Sequence, residues 1–187
     1  MSEDEPSKPS SSAPRWEWTL LETLSEGFHS LAAHMSGGDK VFPERVEEAI
    51  EIHRRFLVEV YHKELDLLNR SLSGLPGQPF ASALEHCRRQ EEAAERASEV
   101  FHKAFKGFKA GDRAAAKELA AALVQEADRW MEHRRWEDEN LYRRLRRGLP
   151  KEVRAELAEG HKKIHAEGAG VEVKLTSWTA RWGPSSD

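Results

Sequence analysis

Glycine and proline fall in this chain at intervals that leave little choice of architecture. Gly37-Gly38 is followed by Pro43, and Ser73-Gly74-Leu75-Pro76-Gly77-Gln78-Pro79 reads as a loop. Gly111-Asp112 reads as a tight turn and Gly148-Leu149-Pro150 as another break. The windows left between them are about 16–36, 43–72, 80–110, 113–147 and 151–167, followed by a short ambiguous piece at 171–182. Each is rich in Ala, Leu, Glu, Arg and Lys, which favour helix, and none alternates as a strand does. Pro43 suits a first helical turn and Asp112 an N-cap. Long helices joined by short loops pack as antiparallel neighbours. The expected fold class is therefore all-α: an up-down four-helix bundle over 15–182 with an extra C-terminal helix or helices. Residues 1–14, polar with three prolines, are expected to form a disordered tail, and 183–187 a short C-terminal one.

A chain of 187 residues suits one domain. It carries 29 Lys+Arg against 33 Asp+Glu, and a net charge of −4 offers no electrostatic footprint for nucleic acid. No apolar run approaches the roughly 18–20 residues needed to cross a bilayer, so no membrane association is expected. The acidic start lacks the apolar stretch of a secretory signal. A single cysteine, Cys87, makes no internal disulfide, which fits a reducing, cytoplasmic setting. Nine histidines are the unusual entry in this composition.

Polar residues on the apolar stripes of the helices carry the functional information. In the second window the stripe Val46, Ala49, Ile50, Phe56, Leu57, Val60, Leu67, Leu68 is broken by His53 and Glu64. In the third, His86 and Gln90 lie among Ala83, Ala94, Ala97 and Phe101. In the fourth, Glu137 lies on the stripe and His133 at its edge, four residues apart and able to hold one ion together. Glu64 is 9 residues before Ser73 and His86 is 7 after Pro79; His86 is 24 before Ala110 and His133 is 21 after Asp112. At about 1.5 Å per residue these offsets amount to only about 3–5 Å, so Glu64, His86, His133 and Glu137 are expected in one layer. Two imidazoles and two carboxylates suit iron, manganese or zinc, and a metal offsets the cost of burying the carboxylates.

The segment His133-Arg-Arg-Trp-Glu137-Asp-Glu-Asn-Leu141-Tyr142 resembles the H-x-x-x-E-[ED]-x-x-L-[FY] signature of hemerythrin-like (HHE cation-binding) domains. Leu84-Glu85-His86 resembles their third-helix L-x-E-H element, and Lys63-Glu64-Leu65-Asp66-Leu67-Leu68 their second-helix K-E-E-D-L-L. The resemblance covers about residues 16–167. It implies a four-helix bundle with a non-haem di-iron centre for oxygen binding, sensing or iron handling. Two of the family's histidines are missing: Val60 stands four residues before Glu64, and Trp18 stands where the first-helix ligand belongs. A third frequent position holds Gln90. The losses fall on one iron of the pair, so the resemblance implies one half-site with both bridging carboxylates, and Trp18 filling the second metal's space.

The resulting expectation is a hemerythrin-like iron protein, holding one or two ions with manganese or zinc as substitutes. It would bind or sense oxygen, NO or peroxide, or handle iron, rather than act as an enzyme. A metal-free bundle kept as an interaction scaffold is the competing class, and an oxidase or peroxidase a third. His62 and Asp66 form a chelating spacing on the polar face; a two-residue slip of the motif would make them ligands. His29 and His34 lie off the first helix's stripe, and His102, His161 and His165 are expected in solvent. Glu26-x-x-His29 and Glu59-x-x-His62 supply the letters of a ferritin-like site but not its facing or level. The basic cluster Arg143, Arg144, Arg146, Arg147 and Lys151 complements a helix C-terminus.

Overall fold

The breakers start and stop the helices where the sequence places them. The computed structural model describes residues 15–182, so the tails expected at 1–14 and 183–187 lie outside the described residues. Helix α1 spans Arg15–Gly37, and Gly38 takes the left-handed backbone (φ +83°) that turns the chain. Pro43 opens α2 (Pro43–Phe56), which passes through a π-helical segment, Leu57–Tyr61, into α3 (His62–Leu72). Helix α4 covers Ala81–Lys109. Gly111, at φ +86°, hands the chain to Asp112, whose carboxylate accepts from the Ala114 N–H at 2.8 Å. That cap stabilises the start of α5 (Arg113–Glu137) by about 1 kcal/mol. A second π-helical segment, Asp138–Tyr142, leads into α6 (Arg143–Gly148), and α7 is Lys151–Trp182.

The architecture is an all-α helical bundle, with no strand among the described residues. Helix α1 packs chiefly against α5, and α5 against α4. Helix α4 lies against α2 and α3, and α7 runs along the α2–α3 rod and also meets α1. No helix among the described residues is long and apolar enough to cross a membrane.

The C-terminal part departs from expectation. Instead of a helix ending near 167 and a separate short piece, α7 is one continuous helix through Gly160, Gly168 and Gly170. The reason is packing. A Cβ on Gly160 would sit 2.5 Å from the Leu67 side chain, and one on Gly168 2.7 Å from the Trp16 ring and 3.0 Å from Val60. Glycine lets α7 lie this close to its neighbours, and contact with the core carries the helix through residues of poor helix propensity. At the end of α7 Trp178 is 1% exposed, and its indole N–H donates to the Arg45 carbonyl at 2.9 Å.

The two π segments each add a residue to a helical turn, widening the face turned to the core. Both Val60 and Tyr61 are buried in the first, and both Leu141 and Tyr142 in the second. Tyr61 and Tyr142 are the last residues of their segments, and both reach the same layer of the bundle.

Candidate metal centre

That layer holds an unusual density of buried acid. Glu17, Glu64 and Glu137 are 4%, 7% and 7% exposed, and His133 is 2% exposed. Helix α5 presents His133 and Glu137 one turn apart, with His133 Nε2 3.1 Å from Glu137 Oε1. From α4, the Cys87 thiol donates to the same Glu137 oxygen at 3.6 Å. A ring nitrogen of His133, the Cys87 sulfur and a Glu137 oxygen all lie within 4.8 Å of one another. A second group forms where α1, α3 and α7 meet: ligand atoms of Glu17, Glu64 and His161 also lie within 4.8 Å of one another.

The two tyrosines set by the π segments close the layer. The Tyr61 hydroxyl is 2.8 Å from His133 Nε2 and donates to the Cys87 carbonyl at 3.2 Å. The Tyr142 hydroxyl donates to Glu64. With Tyr61 donating to Cys87, His133 Nε2–H serves Tyr61 and Glu137. Its Nδ1 then keeps a buried lone pair, and that atom has no hydrogen-bond partner.

Electrostatics in the layer are uncompensated. Burial raises the Glu17 carboxyl to about 7, with the charge of Glu137 adding to the effect. Burial pushes Glu64 well above the usual carboxylate range, helped by Glu17 and Glu137. The Cys87 thiol is driven up by burial and by Glu137, and the Tyr61 and Tyr142 phenols rise for the same reasons. Among the described residues no Lys or Arg forms an ion pair with Glu17, Glu64 or Glu137, and Glu17 Oε2 lacks any hydrogen-bond partner.

A metal fits these residues. Bonds of about 2.0–2.3 Å put the ligands of one ion no more than roughly 4.6 Å apart, close to the spacing observed. The orphaned Glu17 Oε2 and His161 Nε2, from residues of the second group, are buried atoms that a cation would satisfy. The family's histidine-rich ligand set does not fit, because the second histidine here is His161 from α7.

Of the four residues expected as ligands, the structure brings His133 and Glu137 together and places Glu64 in the adjoining group. His86 stands apart from both. Its ring is half-buried and stacks on Trp136, centroids 3.6 Å apart, with His133 5.6 Å away. The neighbouring Cys87 points inward instead. Trp18 does not occupy the interior either; it lies half-buried, edge-on to Tyr142 at 5.9 Å and under the Arg134 guanidinium at 4.5 Å. The α1 side chain in the layer is Glu17.

The other histidines divide by surroundings. His53, 0% exposed, has Nε2 2.8 Å from Glu126 Oε1, and Arg129 also donates to that carboxylate. Gln90 accepts from Arg129 at 3.1 Å, so it belongs to this network. His62 faces Glu91 at 3.4 Å, and Asp66 is exposed. His29 and His34 make exposed pairs with Asp128 and Asp39, and His102 is exposed. His165 lies tilted against the Trp16 ring, centroids 4.4 Å apart, four residues along α7 from His161.

Comparisons with family models, with curated proteins and with solved structures found no match to this chain.

Proposed function

We propose that this protein is a metal-binding helical bundle, with one transition-metal ion held by His133, Glu137 and Cys87 and Glu64 beside them. The observation that carries the reading is the convergence of these ligand atoms in a buried layer whose carboxylates form no ion pair with a Lys or Arg among the described residues. Imidazole, carboxylate and thiolate together suit iron or zinc, and the resemblance to hemerythrin-like domains favours non-haem iron. Bound iron supplies redox and Lewis-acid chemistry toward a small oxidant or a diatomic molecule such as oxygen, NO or peroxide. The chain's own contribution is to exclude water from the layer and to hold His133 through Tyr61. This is a binding, sensing or iron-holding role in the cytoplasm.

A metal-free scaffold has one observation in its favour: Tyr61 and Tyr142 already hydrogen-bond His133 and Glu64. Metal analysis and thermal melting of the purified full chain separate the readings. The metal protein carries at least one transition-metal ion per chain and loses several degrees of Tm on treatment with a chelator, and His133→Ala loses the ion beside Cys87. A chain with no metal and a chelator-insensitive Tm would overturn the proposal.

A further inference from the structure

Resting on that reading, we infer that the layer contains a second metal position formed by Glu17, Glu64 and His161, so that the centre is dinuclear and takes one ligand from the C-terminal helix. The first support is geometry. Three side chains from three different helices, far apart in sequence, bring ligand atoms within 4.8 Å of one another, and two of the three are buried. Neighbours on one helix come together by periodicity; these three do so only by docking.

The second support is the state of the atoms. Glu17 is 4% exposed, yet its Oε2 has no hydrogen-bond partner among the described residues. His161 Nε2 is likewise buried without a partner. Two orphaned ligand atoms facing a shared space are costly unless something binds there.

The third support is a comparison within the molecule. Where this chain buries a carboxylate elsewhere, at Glu126, it surrounds it with His53 and with Arg129 in a bidentate contact. Those hydrogen bonds outweigh the effect of burial and hold Glu126 below the usual carboxylate range. Glu137 meets His133 and the Cys87 thiol, and Glu64 the Tyr142 hydroxyl, but among the described residues none of Glu17, Glu64 and Glu137 pairs with a Lys or Arg. Ionised together with the Cys87 thiol, these three carboxylates carry four negative charges, which two divalent cations would neutralise, and one ion at His133, Glu137 and Cys87 leaves Glu17 and Glu64 unbalanced.

The docking of α7 gives the position its third ligand. Gly160, immediately before His161, meets the Leu67 side chain, and Gly168 meets Trp16, the neighbour of Glu17. These close approaches bring the α7 backbone to the side of the bundle where Glu17 and Glu64 lie. With two carboxylates and one imidazole, the position selects a harder divalent cation such as Fe2+ or Mn2+, whereas the position containing Cys87 is the softer one.

Cobalt(II) titration of the metal-free full chain distinguishes the two positions, because only a cobalt–thiolate bond gives a sulfur-to-metal charge-transfer band. The expected result is two equivalents, one of which develops the band. Glu17→Gln, nearly isosteric, and His161→Ala weaken the equivalent without the band at least about tenfold. Both keep the band, and circular dichroism confirms that they fold. Cys87→Ser removes the band and keeps the other equivalent. A single equivalent with the band in the unmodified chain would overturn the second position and leave the proposed function standing. So would two equivalents insensitive to Glu17→Gln and His161→Ala. No cobalt binding at all would overturn both.

Discussion

Trp136 lies flat against His86, the ring centroids 3.6 Å apart and the planes 22° from parallel. The stack holds the imidazole at the edge of the layer, and it is Cys87, one residue on, that reaches Glu137. His86→Ala is therefore expected to change metal affinity less than about threefold, while Cys87→Ala lowers it at least about tenfold. Isothermal titration of the two variants with zinc checks this, and the reverse order would show that His86 leaves its stack to bind.

The pair of His53 and Glu126, 2.8 Å apart and sealed from solvent, is structural. Removing one partner leaves the other buried and uncompensated, so Glu126→Ala is expected to lower unfolding stability by about 3–5 kcal/mol. Because the network serves Arg129 and Gln90 rather than the metal layer, urea denaturation should show the same loss with and without chelator.

Close packing of α7 makes its glycines unequal. At Gly168 a methyl group would meet the Trp16 ring and Val60, so Gly168→Ala is expected to cost about 1–3 kcal/mol. At Gly170 the nearest atom is the tip of the Arg55 side chain at 3.2 Å, which can move aside. There alanine gains up to about 1 kcal/mol of helix propensity. Thermal melts of the two variants should shift in opposite directions.

Glu17 sets the pH response of the metal-free protein. Its carboxyl is raised by burial from 4.5 to about 7, so the folded state holds the proton more tightly than the unfolded state. The stability this provides is complete below about pH 4.5 and is lost as pH rises through 7. The loss is on the order of 1 kcal/mol per pH unit across that window. Glu64 shifts in the same direction. Glu126 acts oppositely: its lowered value gives stability that is present above the usual carboxylate range and lost in stronger acid. Urea midpoints of chelator-treated protein should fall between pH 5.5 and 7.5, and Glu17→Gln should reduce that fall. Metal requires the carboxylates ionised, so the loaded protein should not show it.

Helix limits and turns were legible because glycine, proline and an N-capping aspartate act locally. His133 and Glu137 were legible because four-residue spacing fixes their common face. Tyr61 and Tyr142 were not, since a π segment adds a residue to the turn and defeats a fixed 3.6-residue period. At 86–87 the motif points to His86, and only the packing of Trp136 against that ring leaves Cys87 as the inward residue. On α1 the motif points to Trp18, whereas the buried side chain is that of its neighbour Glu17. His161 could be found only by knowing how closely α7 docks, for which Gly160 beside it was the available signal.

Anaerobic reconstitution with iron(II), followed by iron analysis of the unmodified chain and of His133→Ala, tests the metal centre most directly. The account predicts two iron ions per chain in the unmodified protein and loss of the ion beside Cys87 in the variant. An unmodified chain that retains no iron, with a Tm identical before and after reconstitution, would contradict it.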